Sequence, residues 1–158
     1  MTPSFRNRVE VQVVFKSNGQ PTSRQIQGWI DAALHGISRD TEIVVRIVDE
    51  QESAELNKFY RHKDGPTNVL SFPADLPEGI GLNLIGDLVV CAPVVEREAL
   101  EQNKPLLHHW AHIVIHGALH LLGYDHVDDA EADIMENREI DILRNFNISN
   151  PYSETIQP

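Results

Sequence analysis

Three histidines, His116, His120 and His126, are spaced H-x3-H-x5-H in the last third of the chain. The first two stand one helical turn apart, so their rings leave the same face of a helix. Gly123 can leave that helix at positive φ and swing the chain back, bringing His126 toward the other two. Three imidazoles with no fourth protein ligand describe a catalytic zinc site with an open position. Zinc there lowers the pKa of bound water to about 7 and polarises a substrate oxygen, and both effects suit hydrolysis. The spacing also follows the long zinc-protease signature H-E-x-x-H-x-x-G-x-x-H at each fixed position but one. Gly117 stands where the protease has its glutamate.

Glycine cannot take a proton from bound water, so the reaction class turns on that position. Gly117 is expected to leave open space beside the metal, where a phosphodiester could approach. RNA carries its own nucleophile in the 2′-hydroxyl, and a cation beside the metal would then stabilise the developing charge. Arg61 is the best cation for this, because guanidinium pairs with phosphate in a two-pronged way. Spacing alone leaves open whether Arg61 does so or is a solvated loop residue. His112, one turn before His116, either extends the ligand row or stands behind it or in solvent. His108 and His109 are expected at the surface of the first helical turn. Asp125 either orients an imidazole or serves the turn with Tyr124.

These residues need a scaffold, and the chain supplies one domain. Its 158 residues are enough for a hydrophobic core without disulfides, and 41% hydrophobic content is ordinary for a globular protein. Cys91 stands alone, which suits a reducing cytoplasm; it reads as a small buried residue at a strand end. The N-terminus carries no signal-peptide core, and no apolar stretch approaches a membrane span. With 13 basic and 24 acidic side chains the net charge is −11, which argues against a general nucleic-acid binder. The acids crowd residues 125–141, however, whereas Lys58, Arg61, His62 and Lys63 form a local basic patch.

Val9, Val11 and Val13 alternate with polar residues as a strand, and a helix follows over 21–35, opened by Pro21. The run 42–48 is a β-branched strand. Asp49 with Glu52 suggests a capping box opening a helix to about Tyr60. After a polar loop, Asn68 to Phe72 reads as a short strand closed by Pro73, 74–83 as a surface loop, and Leu84 to Cys91 as a strand. Helices are expected from Pro93 to about Asn103, from Pro105 to about Leu122, and from Asp128 or Asp129 to about Asn145. The last should bury Ile134, Met135, Ile140 and Leu143. Residues 147–158 read as a frayed tail. Strands first and helices later give an α/β or α+β fold, in which a mixed four-stranded sheet is packed by about five helices.

Three stretches together carry a family resemblance: Tyr60-Arg61-His62-Lys63-Asp64-Gly65-Pro66-Thr67-Asn68-Val69-Leu70-Ser71-Phe72-Pro73, Leu84-Ile85-Gly86-Asp87-Leu88-Val89-Val90-Cys91, and the histidine motif. Their combination and order resemble the YbeY family of bacterial rRNA maturation factors over nearly the whole chain. The resemblance implies a zinc-dependent endoribonuclease acting on single-stranded RNA, in maturation of the 16S rRNA 3′ end and in ribosome quality control. It implies one zinc per chain held by His116, His120 and His126, and a functional role for Arg61. Lys63 and Ser71 are further candidates for contacting substrate; a strand-end hydrogen bond is the structural alternative for Ser71. Small-subunit ribosomal proteins and the GTPase Era are the implied partners, with no membrane involved. The family usually has Asp where this chain has Asn68, so a role that needs an anion there would be lost.

Two other functions compete. A metalloprotease fits the histidine spacing, but its base would have to come from Glu131, Glu136 or Glu139 on the last helix. A non-catalytic ribosome assembly factor would use zinc only to hold the C-terminal helices together.

Overall fold

A computed structural model describes residues 6–74, 83–125 and 127–152. Along them run β1 (Asn7–Val13), α1 (Ser23–Ala33), β2 (Thr41–Val48), α2 (Glu50–Arg61), β3 (Val69–Pro73), β4 (Leu84–Cys91), α3 (Ala92–Glu101), α4 (Leu106–Leu121) and α5 (Asp129–Arg144). The sheet order is β1-β2-β4-β3. The first three strands in that order are parallel, and β3 runs antiparallel at the edge. A mixed four-stranded sheet with five helices is the architecture expected from the sequence. The segment 75–82 of the expected surface loop lies outside the described residues.

Local chemistry sets the helix starts. Thr22 accepts from the Gln25 backbone N–H at 3.1 Å while the Gln25 side chain accepts from the Thr22 N–H at 2.8 Å. That reciprocal cap puts Pro21 before the helix, not inside it. Asp49 caps α2 by accepting from the Glu52 N–H at 2.9 Å, but the Glu52 carboxylate turns to Arg46 at 2.5 Å. Only half of the expected box forms. Asp128, not Asp129, caps α5, accepting from the Glu131 N–H at 2.8 Å.

The larger core lies between the sheet and α1, α4 and α5, with the apolar α4 at its centre through Trp110, Val114, Ile115, Ala118 and Leu119. A smaller core on the other face joins Val48, Leu70, Val89, Cys91 and Val94 beneath α2 and α3. Cys91 is fully buried where β4 ends. On α5 the inward stripe is Met135, Glu139, Ile142 and Leu143, whereas Ile134 is 61% exposed, contrary to expectation. The tail also docks further than expected, because Ile148 packs on the main core and Tyr152 reaches α5. Residues 153–158 lie outside the described residues. Among the described residues no helix is long and apolar enough to cross a membrane.

Candidate active site

The last turns of α4 present His116 and His120 to a cleft of about 420 Å³ whose lining also includes Arg61, Lys63, Ser71 and Asp125. The Nε2 atoms of His116 and His120 are 3.2 Å apart. Gly123 takes φ +98° just after the helix, the turn its sequence position suggested. Tyr124 and Asp125 then line the cleft. His126 lies outside the described residues.

Behind His116 stands Glu139, fully buried on α5, and its carboxylate accepts from His116 Nδ1 and from the Tyr152 hydroxyl. This fixes the tautomer. With Nδ1 donating to Glu139, the lone pair of His116 is on Nε2, the atom that meets His120 in the cleft. Burial pushes the Glu139 carboxyl up, yet the imidazoles of His112 and His116, with the Tyr152 hydroxyl, hold it down to about 2. The Tyr152 hydroxyl is in turn pushed up, by burial and then by its bond to Glu139.

His112 is not in the cleft lining; it borders a separate hollow with Lys104 and His108. Its Nε2 is 3.1 Å from the Tyr152 hydroxyl and 3.8 Å from Glu139, and burial lowers its pKa. His112, His116 and Glu139 offer ligand atoms within 4.8 Å of one another and form a cluster able to hold a metal ion. The pair His116 Nε2 and His120 Nε2 offers a second place, on the open side. The open side fits a catalytic metal better. Glu139 already accepts from two donors, and a cation between it and His112 would lie outside the cleft that Arg61 lines. Seated in the cleft, a metal would use Nε2 of both histidines, with Glu139 orienting one ring from behind.

Arg61 ends α2, where His62 takes the left-handed conformation at φ 57°. Two buried side chains of α2 tie down the loop that follows. Ser53 exchanges hydrogen bonds with the backbone of Thr67 at 3.0 Å, and Asn57 donates to the Gly65 carbonyl at 2.9 Å. Arg61 Nη2 approaches the Ser71 carbonyl at 3.4 Å, and Ser71 Oγ donates to the Gly117 carbonyl at 3.1 Å.

Gly117 does not open space beside the metal. It is buried where α4 crosses the sheet, and an added Cβ would meet Leu88 at 2.9 Å and Val69 at 3.1 Å. Glycine is there because helix and sheet touch. His109, expected at the surface, is 3% exposed, with Nε2 2.9 Å from Glu98; its buried Nδ1 has no hydrogen-bond partner among the described residues. His108 is half-buried.

The Asn68 amide donates to Glu98 at 3.1 Å, a bond that the family's usual aspartate could not make. Burial pushes the Glu98 carboxyl up, but hydrogen bonds from His109 and Asn68 outweigh it and hold the group below its ordinary 4.5. A lowered folded pKa means the stability Glu98 contributes is complete above pH 4.5 and is lost as pH falls through the lower value. Asn68→Asp sets two carboxylates together and is expected to cost about 1 kcal/mol at neutral pH. The cost should shrink on acidification as the pair takes up a proton. Urea unfolding at several pH values checks this, and a variant as stable as the parent at pH 7 would contradict it.

A sequence profile described as Endoribonuclease YbeY matches residues 7–147. The Endoribonuclease YbeY of Methylococcus capsulatus is 60% identical over 134 residues, covering 85% of this chain and 88% of that protein. Its counterpart from Colwellia psychrerythraea is 53% identical over 150 residues, covering 92% and 97%. The solution structure of a Thermotoga maritima protein superposes with a TM-score of 0.57 at 26% identity, covering 94% of this chain and 99% of that one.

Proposed function

The chain belongs to the Endoribonuclease YbeY family, and from that premise we propose that it is a zinc-dependent endoribonuclease that cuts single-stranded ribosomal RNA. One observation carries the reading: His116 and His120 bring their Nε2 atoms within 3.2 Å of each other in the same cleft that Arg61 and Lys63 line. His126 completes the ligand set by its spacing, giving one zinc per chain. When bound, the zinc supplies a Lewis acid and a low-pKa water.

The chain's own residues do the remaining work. Arg61 and Lys63 hold the scissile phosphate, and the Arg61 guanidinium offsets charge as it builds on the phosphate oxygens. Glu139 holds the His116 ring, and Ser71 fixes β3 against α4. By family resemblance the substrate is the precursor of the 16S rRNA 3′ end, and the work extends to ribosome quality control. Small-subunit proteins and the GTPase Era are the partners this implies, in a cytoplasm that keeps Cys91 reduced.

His120→Ala is expected to stay folded but to lose bound metal and RNA cleavage. Arg61→Ala is expected to keep the metal and cut about 100-fold more slowly. Metal content, circular dichroism and cleavage of unmodified RNA check both variants. An unfolded His120→Ala chain would make the zinc structural, as in a non-catalytic assembly factor, and would overturn this reading.

A further inference from the structure

A second hollow, of about 500 Å³, lies on the outer face of the sheet, directly across β3 from the cleft. Because side chains alternate along a strand, Ser71 and Pro73 face the cleft while Phe72 faces the hollow. The same division falls between consecutive residues at the end of α2, where Arg61 lines the cleft and Tyr60 the hollow. Among the described residues, the edge strand β3 and the last turn of α2 separate the two.

The wall is aromatic and exposed. Phe59 is 73% exposed and Tyr60 56% exposed. Their ring centroids are 4.8 Å apart, and Tyr60 meets Phe72 at 5.1 Å. Helix α2 lays Leu56 over the smaller core beside Val48, Val89 and Cys91. Further along, Val44, Val89 and Leu56 give the hollow an apolar interior, and Asp87 supplies an exposed carboxylate. Asp87 pairs directly opposite Phe72 across the β3–β4 ladder. Arg46 is held by Glu52 at 2.5 Å, so it is engaged and not aimed at a phosphate.

We propose that this hollow is a nucleobase-binding subsite, taking a base next to the phosphate held by Arg61. The inference rests on the endoribonuclease reading and adds to it where the neighbouring base goes. The occupant is single-stranded RNA, since the hollow lies one edge strand away from a cleft lined by Arg61 and Lys63, and the aromatic Phe59 and Tyr60 stand between the basic Lys58 and Arg61. Single strands expose base faces that stack on aromatic rings and base edges that hydrogen-bond, whereas duplexes hide both. An ionised carboxylate only accepts, so Asp87 favours bases with an exocyclic amino group over uracil. A body with net charge −11 attracts RNA poorly at long range, which gives short-range stacking a larger share of the affinity.

The test is anisotropy titration of the full chain with labelled 2′-O-methyl RNA of about ten nucleotides, alongside cleavage of unmodified RNA. Tyr60→Leu and Phe72→Leu keep apolar bulk and remove the ring. Each is expected to weaken binding about tenfold while leaving its salt dependence unchanged, whereas Arg61→Ala should lower the salt slope by about one. Scanning one abasic nucleotide through the strand should find a position that weakens the parent as much as Tyr60→Leu does and weakens that variant no further. Variants that bind like the parent, or abasic losses that add to theirs, overturn the subsite. Should Phe72→Leu fail to fold, the exposed Tyr60 still decides. If Tyr60→Leu keeps RNA affinity but loses a protein partner, the patch docks protein and the base assignment falls. A parent that cuts RNA with indifferent variants loses only the hollow; a parent that neither binds nor cuts RNA loses the nuclease reading as well.

Discussion

Replacing Gly117 with glutamate, which completes the zinc-protease signature letter for letter, will destabilise the protein and yield no peptidase. Position 117 faces Leu88, Val69 and Ser71, with 2.9 Å between an added Cβ and Leu88. A glutamate there must displace the side-chain ends of Leu88 and Val69 and set a carboxylate between helix and sheet, against those two apolar groups. Together these are expected to cost about 4 kcal/mol or more. Thermal unfolding of Gly117→Glu, with Gly117→Ala as the smaller step, checks the claim. A Gly117→Glu chain that melts with the parent and hydrolyses peptides would overturn it. The departure from the protease pattern is thus a packing requirement first, and its chemical consequence follows from that.

Glu139→Ala is expected to have the second large effect, in stability and metal affinity together. Removing the fully buried carboxylate takes the acceptor from the His116 Nδ1–H, leaves the Tyr152 hydroxyl with His112, opens a cavity, and should cost about 3 kcal/mol. At roughly 3 °C per kcal/mol for a chain of this length, the melting temperature should fall by about 10 °C. Freed from Glu139, the His116 ring can turn and change tautomer, and metal affinity should drop about 10- to 100-fold. Calorimetry and competition with a chelating dye measure the two effects separately. Glu139→Gln can still accept from one donor, so it should fall between the parent and Glu139→Ala. Unchanged metal affinity in Glu139→Ala would refute the orienting role.

Both effects arise where sequence reading falls short, for the same reason. Periodicity, caps and turn residues place the strands and helices, because those signals are local. The helical spacing of His116 and His120 and the positive φ of Gly123 are local too. Glu139 is not: within its own segment it is one acid among many. Its signal is its place on the inward stripe with Met135, Ile142 and Leu143, where an acid survives only if it is paired. Gly117 reads as a missing base until Leu88 and Val69 are seen against it. His109 and Asn68 are explained only by Glu98 between them, a residue of a third element. Partners distant in sequence decide each of these, and a single chain does not print them.

Ser71 is one residue long, yet it touches both halves of the cleft: its carbonyl meets Arg61 and its hydroxyl holds the backbone of α4 at Gly117. The gap between guanidinium and imidazoles is therefore set as by a caliper with a single rivet. A change in the sheet that shifts β3 therefore reaches both sides of the opening offered to a phosphate through this one residue.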